Sequence, residues 1–207
     1  MGHSSDSSKR LPAGRFHVAE DVGIGNRLPL AAGGRPVGVP ASRERIRPSS
    51  KRSPSAVVCL LTAECVPELY EIEIECNRPI WSPQLLANEF RNAHARVYGA
   101  RLSGRIVGFL IVHVILDEAH ILNFGIKSSF RGEGVGRVLL VEVIDRLIEE
   151  GVHVVTLEVR ATNSVARSLY ESIGFAEAGI RPHYYTDNGE DALILRLDAQ
   201  HFLVTKR

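Results

Sequence analysis

Three cysteines in 207 residues, Cys59, Cys65 and Cys76, are too few for a disulfide scaffold, and an odd number cannot all pair within the chain. A reducing, cytoplasmic setting follows as the simplest expectation. No Cys-x-x-Cys or His-x-x-x-His spacing occurs, so no structural zinc site and no metal are expected. No apolar run approaches the roughly 18 residues that cross a bilayer, which argues against a membrane partner. The formal net charge is only +1, so the chain as a whole lacks the basic surplus of a nucleic-acid binder. What remains is globular in composition, 44% apolar and 24% charged, at a length that fits one domain or one domain with a tail.

The charge is unevenly placed. Residues 1–55 carry ten Lys and Arg against four Asp and Glu, whereas the rest carries fifteen against twenty. Prolines crowd the same stretch (Pro12, Pro36, Pro40, Pro48 and Pro54 among them) and no apolar period is sustained there. Residues 1–55 are therefore expected to be a disordered basic tail. A transit sequence and an overlong gene model are the alternatives. Direct nucleic-acid contact is expected, if anywhere, only through this tail. A domain over 56–200 and a C-terminal tail over 201–207 complete the expected organisation.

From Ala56 the pattern is regular. AVVCLL (56–61) reads as a strand. Glu64–Cys76 reads as a helix behind Thr62, with Pro67 in its first turn. Ser82 caps a second helix over Pro83–Ala93. Two β-rich runs flank Ser103-Gly104, a hairpin signal. AHILNFGI (119–126) is a further strand. Val135, Leu139, Val143 and Leu147 recur every fourth residue, and Gly151 ends that helix. A strand over 152–160 and a helix from the Asn163 cap to Gly174 follow. In that helix Val165, Leu169 and Ile173 are the expected buried stripe. Two last strands surround the Asp187-Asn188-Gly189 turn. The order β-α-α-β-β-β-α-β-α-β-β describes an α/β domain.

Between a strand and the clearest helix lies FRGEGVGR (130–137). Gly132, Gly134 and Gly136 let the backbone turn tightly and bring N–H groups close to a ligand, and the helix directs its positive end at the same point. Arg131 and Arg137 add charge. The loop reads as a cradle for a phosphate or pyrophosphate, or else as a capped glycine-rich turn. No Lys-Ser/Thr follows, so it is not a Walker loop.

Arg131-x-x-Gly134-x-Gly136 resembles the Arg/Gln-x-x-Gly-x-Gly/Ala motif of the GNAT acetyltransferases. The stretches NFGIKSSFRGEGVGRVLL, LEVRATNSVARSLYESIGF and RPHYYTDNGEDALIL, in that order, resemble consecutive blocks of the RimI-type branch, as does RPIWSPQLLANEF. That branch acetylates protein N-termini, in bacteria that of a small-subunit ribosomal protein. The resemblance covers roughly residues 56–198. It implies a GNAT acyl-CoA N-acyltransferase fold, a mixed central sheet of about seven strands with helices on both faces. It implies acetyl-CoA as co-substrate, held by the backbone of Phe124, Gly125 and Ile126, by the loop Arg131, Gly132, Glu133, Gly134, Val135, Gly136 and Arg137, and by Asn163. The cleft is expected where the strands before and after the 134–150 helix part.

The resemblance also assigns chemistry. Glu158 matches the family's general base and Tyr170 the acid that protonates the leaving thiolate. Read from the residues alone, Glu158 is equally a partner for Arg160, and Tyr170 equally a core residue. The reaction has need of such a pair. An α-amino group titrates near pH 8, so at neutral pH it must lose a proton before it can attack. Direct attack needs no acyl-enzyme, and the cysteines are read as core or incidental residues. Trp81, Tyr184 and Tyr185 are candidates for the acceptor side, an N-terminal peptide of a protein, ribosomal by resemblance. Trp81 also reads as packing beside the first helices, and the two tyrosines as a strand pair. The surplus of five acids in the domain suits a basic peptide. His113, His120, His153 and His183 read as strand-end or surface residues, with His183 adjoining the acceptor loop. Two departures from the family stand out: Glu133 where the loop usually carries Lys or Arg, and Gly125 where alanine is common, a change expected to be harmless. The same fold acting on a small amine or a lysine side chain, and a non-catalytic CoA-binding module, are the competing readings.

Overall fold

The computed structural model describes residues 56–77 and 80–205; the expected basic tail over 1–55 lies outside the described residues. Seven strands form one sheet in the order β1-β2-β3-β4-β5-β7-β6. They are β1 (Val57–Leu60), β2 (Ala95–Leu102), β3 (Arg105–Ile115), β4 (Glu118–Ile126), β5 (Val154–Arg160), β6 (Ala176–Tyr185) and β7 (Glu190–Asp198). Five helices accompany them: α1 (Val66–Cys76), α2 (Pro83–Glu89), α3 (Val135–Glu149), α4 (Ser164–Ile173) and α5 (Ala199–Thr205). The expected mixed sheet with helices on both faces is what the chain forms.

Local chemistry accounts for most boundaries. Ser103 and Gly104 both take positive φ, 49° and 80°, so the β2–β3 turn has the twist that suits a tight hairpin. The Ser82 hydroxyl accepts the Leu85 N–H at 3.2 Å and starts α2, with Pro83 where no donor is lost. α3 buries Val135, Leu139, Leu140, Val143, Ile144 and Leu147 against the sheet, each contributing about 1.5–3 kcal/mol of apolar burial before chain entropy is counted. α4 ends at Gly174, whose φ of 113° closes the last turn onto Tyr170 and Glu171 carbonyls.

Two cores flank the sheet. α3 and α4 cover one face, where Leu139, Val143 and Tyr170 meet Ile121, Phe124, Val155, Leu157 and Val159. α1 and α2 cover the β2–β4 half of the other face, where Leu69, Ile72, Trp81 and Leu86 meet Val97, Phe109, Ile111 and Leu122.

The chain differs from its sequence reading in three places. α2 stops at Glu89, because Arg91 and Asn92 donate to Asn88 and Glu89 in tighter turns. The segment expected as a C-terminal tail is largely helical: α5 follows β7 and inserts Phe202, 2% exposed, into the larger of the two cores. In α4 the fully buried residues are Ala166, Tyr170 and Ile173, while Val165 and Leu169 are half-buried at the border. Both flanks of that helix are apolar, and only the sheet contact decides which faces inward.

All neighbouring strands are antiparallel except β4 and β5. Their parallel pairing runs only from Glu118 opposite Val154 to Ile121 opposite Leu157. At the same point β4 bulges against β3: Ile111 faces Asn123 and Val112 faces Ile121, which leaves Leu122 as the extra residue. Beyond it β4 and β5 part, as expected, and the opening lies at the N-terminus of α3.

Candidate active site

The cleft between the parted strands is lined by Phe124, Ile126, Phe130, Arg131, Gly132, Gly134, Gly136, Arg137, Val165 and Leu169. Its floor is the loop that the sequence marks as a phosphate cradle. Gly132 and Gly134 have φ of 74° and 86°, and a Cβ at either would meet no other atom, so backbone conformation is what calls for glycine there. Among the described residues no side chain caps the start of α3, which leaves its first N–H groups for a ligand. A Cβ on Gly136 would come within 3.3 Å of the Phe124 ring and narrow the cleft. The half-exposure of Val165 and Leu169 follows from the same geometry, since they face the cleft rather than the core.

The two arginines are engaged elsewhere. Arg131 donates from Nε to the Ile126 carbonyl at 2.9 Å and from Nη2 to the Glu75 carbonyl at 3.2 Å, tying the loop to the ends of β4 and α1. Arg137 donates to the Ser172 hydroxyl at 2.8 Å and joins α3 to α4. Their side chains therefore shape the cradle as well as charge it. Glu133 is exposed and does not line the cleft. Cys76, buried at the base of the loop, donates to the Ile126 carbonyl, and burial raises its thiol pKa.

Glu158 stands on β5 one residue past the last β4 pair and is 1% exposed. Its Oε2 lies 2.7 Å from Nε2 of His120 on β4, and its Oε1 lies 3.2 Å from Nη2 of Arg181 on β6. The alternative pairing with Arg160 is not what forms. Arg160 runs instead to the β6–β7 turn, 2.8 Å from Asp187 and 3.2 Å from Glu190, with its guanidinium 3.9 Å from the Tyr185 ring centre. Burial opposes the Glu190 charge, but Thr162 through its hydroxyl and backbone N–H, then Arg160 and Asn188, outweigh it and hold the carboxyl at about 2. His120 is thus not the plain strand-end residue of the sequence reading. Its importance rests on the parallel register that sets it beside Thr156, a register that local periodicity does not reveal.

Tyr170 approaches from the opposite face. Asn163 caps α4 by accepting the Ala166 N–H at 3.0 Å, and Tyr170 lies two turns on. Its ring stands between Phe124 and Phe175, at centroid distances of 6.4 and 5.6 Å. It is fully buried, its hydroxyl has no hydrogen-bond partner among the described residues, and burial pushes its pKa well above the usual phenol value. A buried hydroxyl in that condition is what a ligand's polar atom would satisfy.

On the acceptor side the tyrosines divide. Tyr185 is fully buried under Arg160, while Tyr184 is half-buried, edge-on to it at 5.2 Å and 5.6 Å from Arg181. Only Tyr184 offers much surface. His183 sits in a bulge of β6 at φ 52°, its N–H donated to Asp191 at 2.8 Å, so its role there is to shape the hairpin. Trp81 is core rather than groove wall, 7% exposed among α1 and α2, its backbone N–H donated to Glu73 at 2.8 Å. That Glu73 belongs to a buried polar group absent from the sequence reading: it also bonds Asn77 and Asn123, and Asn77 donates to Asn123 at 2.9 Å. Asn123 is the residue next after the bulged Leu122, so α1 holds β4 in shape where the cleft begins.

Residues 66–175 match the model of the acetyltransferase (GNAT) family, more than half the chain. The chain belongs to the GNAT family. It is similar to the [ribosomal protein bS18]-alanine N-acetyltransferase of Escherichia coli, 40% identical over 136 residues that cover 64% of this chain and 90% of that protein. To the enzyme of the same name from Haemophilus influenzae it is 43% identical over 56% of this chain and 79% of the relative. The crystal structure of the Escherichia coli ribosomal-protein-S18-alanine N-acetyltransferase superposes with a TM-score of 0.66 at 36% identity, covering 70% of this chain and 94% of that one.

As a GNAT domain of this branch, the chain is an acetyl-CoA-dependent N-acetyltransferase. The cleft fits the coenzyme: an uncapped helix start, a cradle that a Cβ on Gly136 would narrow, and an unpartnered Tyr170 hydroxyl. Among the described residues no helix is long and apolar enough to cross a membrane.

Proposed function

We propose that this GNAT chain acetylates the N-terminal α-amino group of a protein in a ternary complex, with a small-subunit ribosomal protein beginning with alanine as the acceptor. The observation that carries this reading is Glu158, a buried carboxylate one residue beyond the point where β4 and β5 stop pairing. The names of the relatives reported above support the acceptor.

Acetyl-CoA, when bound, supplies the acyl group as a thioester. The N–H groups of Val135, Gly136 and Arg137 receive its phosphates, and the loop held by Arg131 keeps them aimed. Backbone of Phe124, Gly125 and Ile126 faces the acyl arm and donates to its carbonyl as charge develops. Glu158 takes a proton from the incoming ammonium group, which frees the nitrogen lone pair. Tyr170 donates its proton to the departing sulfur; a phenol kept neutral by burial is suited to that task. Asn163 stays with its helix cap and borders the coenzyme. Tyr184 grips the peptide beside Arg181, with Tyr185 as its support.

The test is a panel of substrates: peptides with Ala-Arg and other starts, α-blocked peptides bearing lysine, and a polyamine, with the acetylated atom located by mass spectrometry. The Ala-Arg peptide should show the highest kcat/KM, with acetate on its α-nitrogen. Acetate on Nε or the polyamine, with free α-amines untouched, overturns the reading.

A further inference from the structure

Glu158 is 1% exposed, so a proton taken up by its carboxylate has little direct access to water. One oxygen faces Arg181, a guanidinium that carries donors and no acceptor. The other lies 2.7 Å from His120 Nε2, within proton-transfer reach, and the His120 side chain is 25% exposed. The second ring nitrogen, Nδ1, is 2.8 Å from the Thr156 hydroxyl, which is itself 3.3 Å from the Ala119 carbonyl. When Thr156 donates to that carbonyl its lone pair accepts Nδ1–H; when it turns, it donates to a bare Nδ1. The hydroxyl thus serves the ring in either charge state.

His113 and Arg196, the charged neighbours of His120 across the sheet, have partners of their own. His113 on β3, opposite His120, is 2.6 Å from Glu89 of α2. Arg196 on β7, opposite Thr156, is 2.8 Å from Asp198. Glu118, two residues before His120 on β4, is exposed.

We infer that His120 is the proton exit of the site, passing to water the proton that Glu158 removes from the acceptor; this rests on the reading of Glu158 as base. The ammonium N–H breaks and an O–H forms on Oε2. That O–H then breaks as N–H forms on Nε2, which restores the carboxylate; the Nδ1–H of the imidazolium breaks on the Thr156 side and gives its proton to water, and the neutral ring then returns to its Nδ1–H tautomer. The nitrogen pair forms the N–C bond, the C–S bond breaks, and sulfur takes the Tyr170 proton. The amine's second proton, released as the amide forms, balances the one Tyr170 regains. One proton leaves per acetyl transferred. His120 acts through Glu158 and is a relay, not a group on the reacting atoms.

The test compares His120→Ala, His120→Gln and Glu158→Gln in the full chain, with turnover followed against added imidazole and acetyl-CoA affinity by calorimetry. His120→Ala should lose about 10²-fold in kcat, bind acetyl-CoA unchanged, and recover turnover as imidazole is added. His120→Gln, which keeps a donor toward Glu158 but cannot carry a proton, should stay slow and ignore imidazole. Wild-type turnover in His120→Gln overturns the relay, and so does a slow His120→Ala that imidazole does not restore. If His120→Ala fails to fold, the rate of His120→Gln decides alone. Wild-type turnover in Glu158→Gln would instead remove the base reading itself.

Discussion

Oε2 of Glu158 on β5 lies 2.7 Å from Nε2 of His120 on β4, across the last rung of the parallel pairing. Below this contact the strands are zipped; above it they part and admit a ligand. A carboxylate at a zipped position would be locked into the sheet, and one further out would stand in water. The fork is therefore the place where a buried acid can still be reached.

Glu158→Gln keeps the shape and removes the proton acceptor. We expect kcat to fall by about 10²–10⁴-fold, with acetyl-CoA affinity preserved. Steady-state kinetics beside calorimetry check it; an unchanged kcat contradicts it.

Tyr170→Phe separates chemistry from packing. The hydroxyl has no partner among the described residues, so deleting it should leave the melting temperature unchanged or higher, while kcat drops by about 10²-fold. A large loss of stability with normal turnover would make Tyr170 a core residue only.

Gly134→Ala tests the cradle. Its φ of 86° costs a residue with Cβ about 1–2 kcal/mol, and the Cβ touches nothing else. The acetyl-CoA dissociation constant should rise roughly tenfold, measured by calorimetry, with little change in the acceptor's KM.

Gly125→Ala should not be harmless, contrary to the expectation from sequence. A Cβ there would lie 3.1 Å from Phe109, 3.3 Å from Cys76 and 3.3 Å from Ile72, so these packed side chains would each have to give by a few tenths of an ångström. Destabilisation of about 1–3 kcal/mol is expected, read as a lower urea midpoint.

Glu190 has its pKa lowered from 4.5 to about 2, so its stabilisation is fully present above pH 4.5 and is lost as pH falls through 2. Urea midpoints taken from pH 7 down to pH 3 should fall at the acid end. Glu190→Gln should be less stable at neutral pH, where it leaves the buried Arg160 with one carboxylate fewer, and should show a shallower acid decline.

Much of this was legible in the chain. The four-residue period of α3, the Ser82 and Asn163 caps and the glycines of the loop each act locally, so their signals survive in a single sequence. The His120–Glu158 contact does not, because it depends on strand register across 38 positions. The buried Glu73–Asn77–Asn123 group was hidden for the same reason, as each member alone reads as a surface residue. Periodicity also misphased α4, since Val165 and Leu169 are apolar toward a cleft rather than the core. Trp81 was legible as a packing residue but not as one fully committed to the core.

The central claim is that the acetyl group passes straight from the thioester to an α-nitrogen. Mass spectrometry of a quenched reaction, containing the purified chain, acetyl-CoA and an Ala-Arg peptide that also bears a lysine, tests it directly. The account expects acetate on the peptide's α-nitrogen and an unmodified protein, including the protein incubated with acetyl-CoA alone. Acetate on Cys59, Cys65 or Cys76 on the path to product, or acetate only on the lysine, would contradict it.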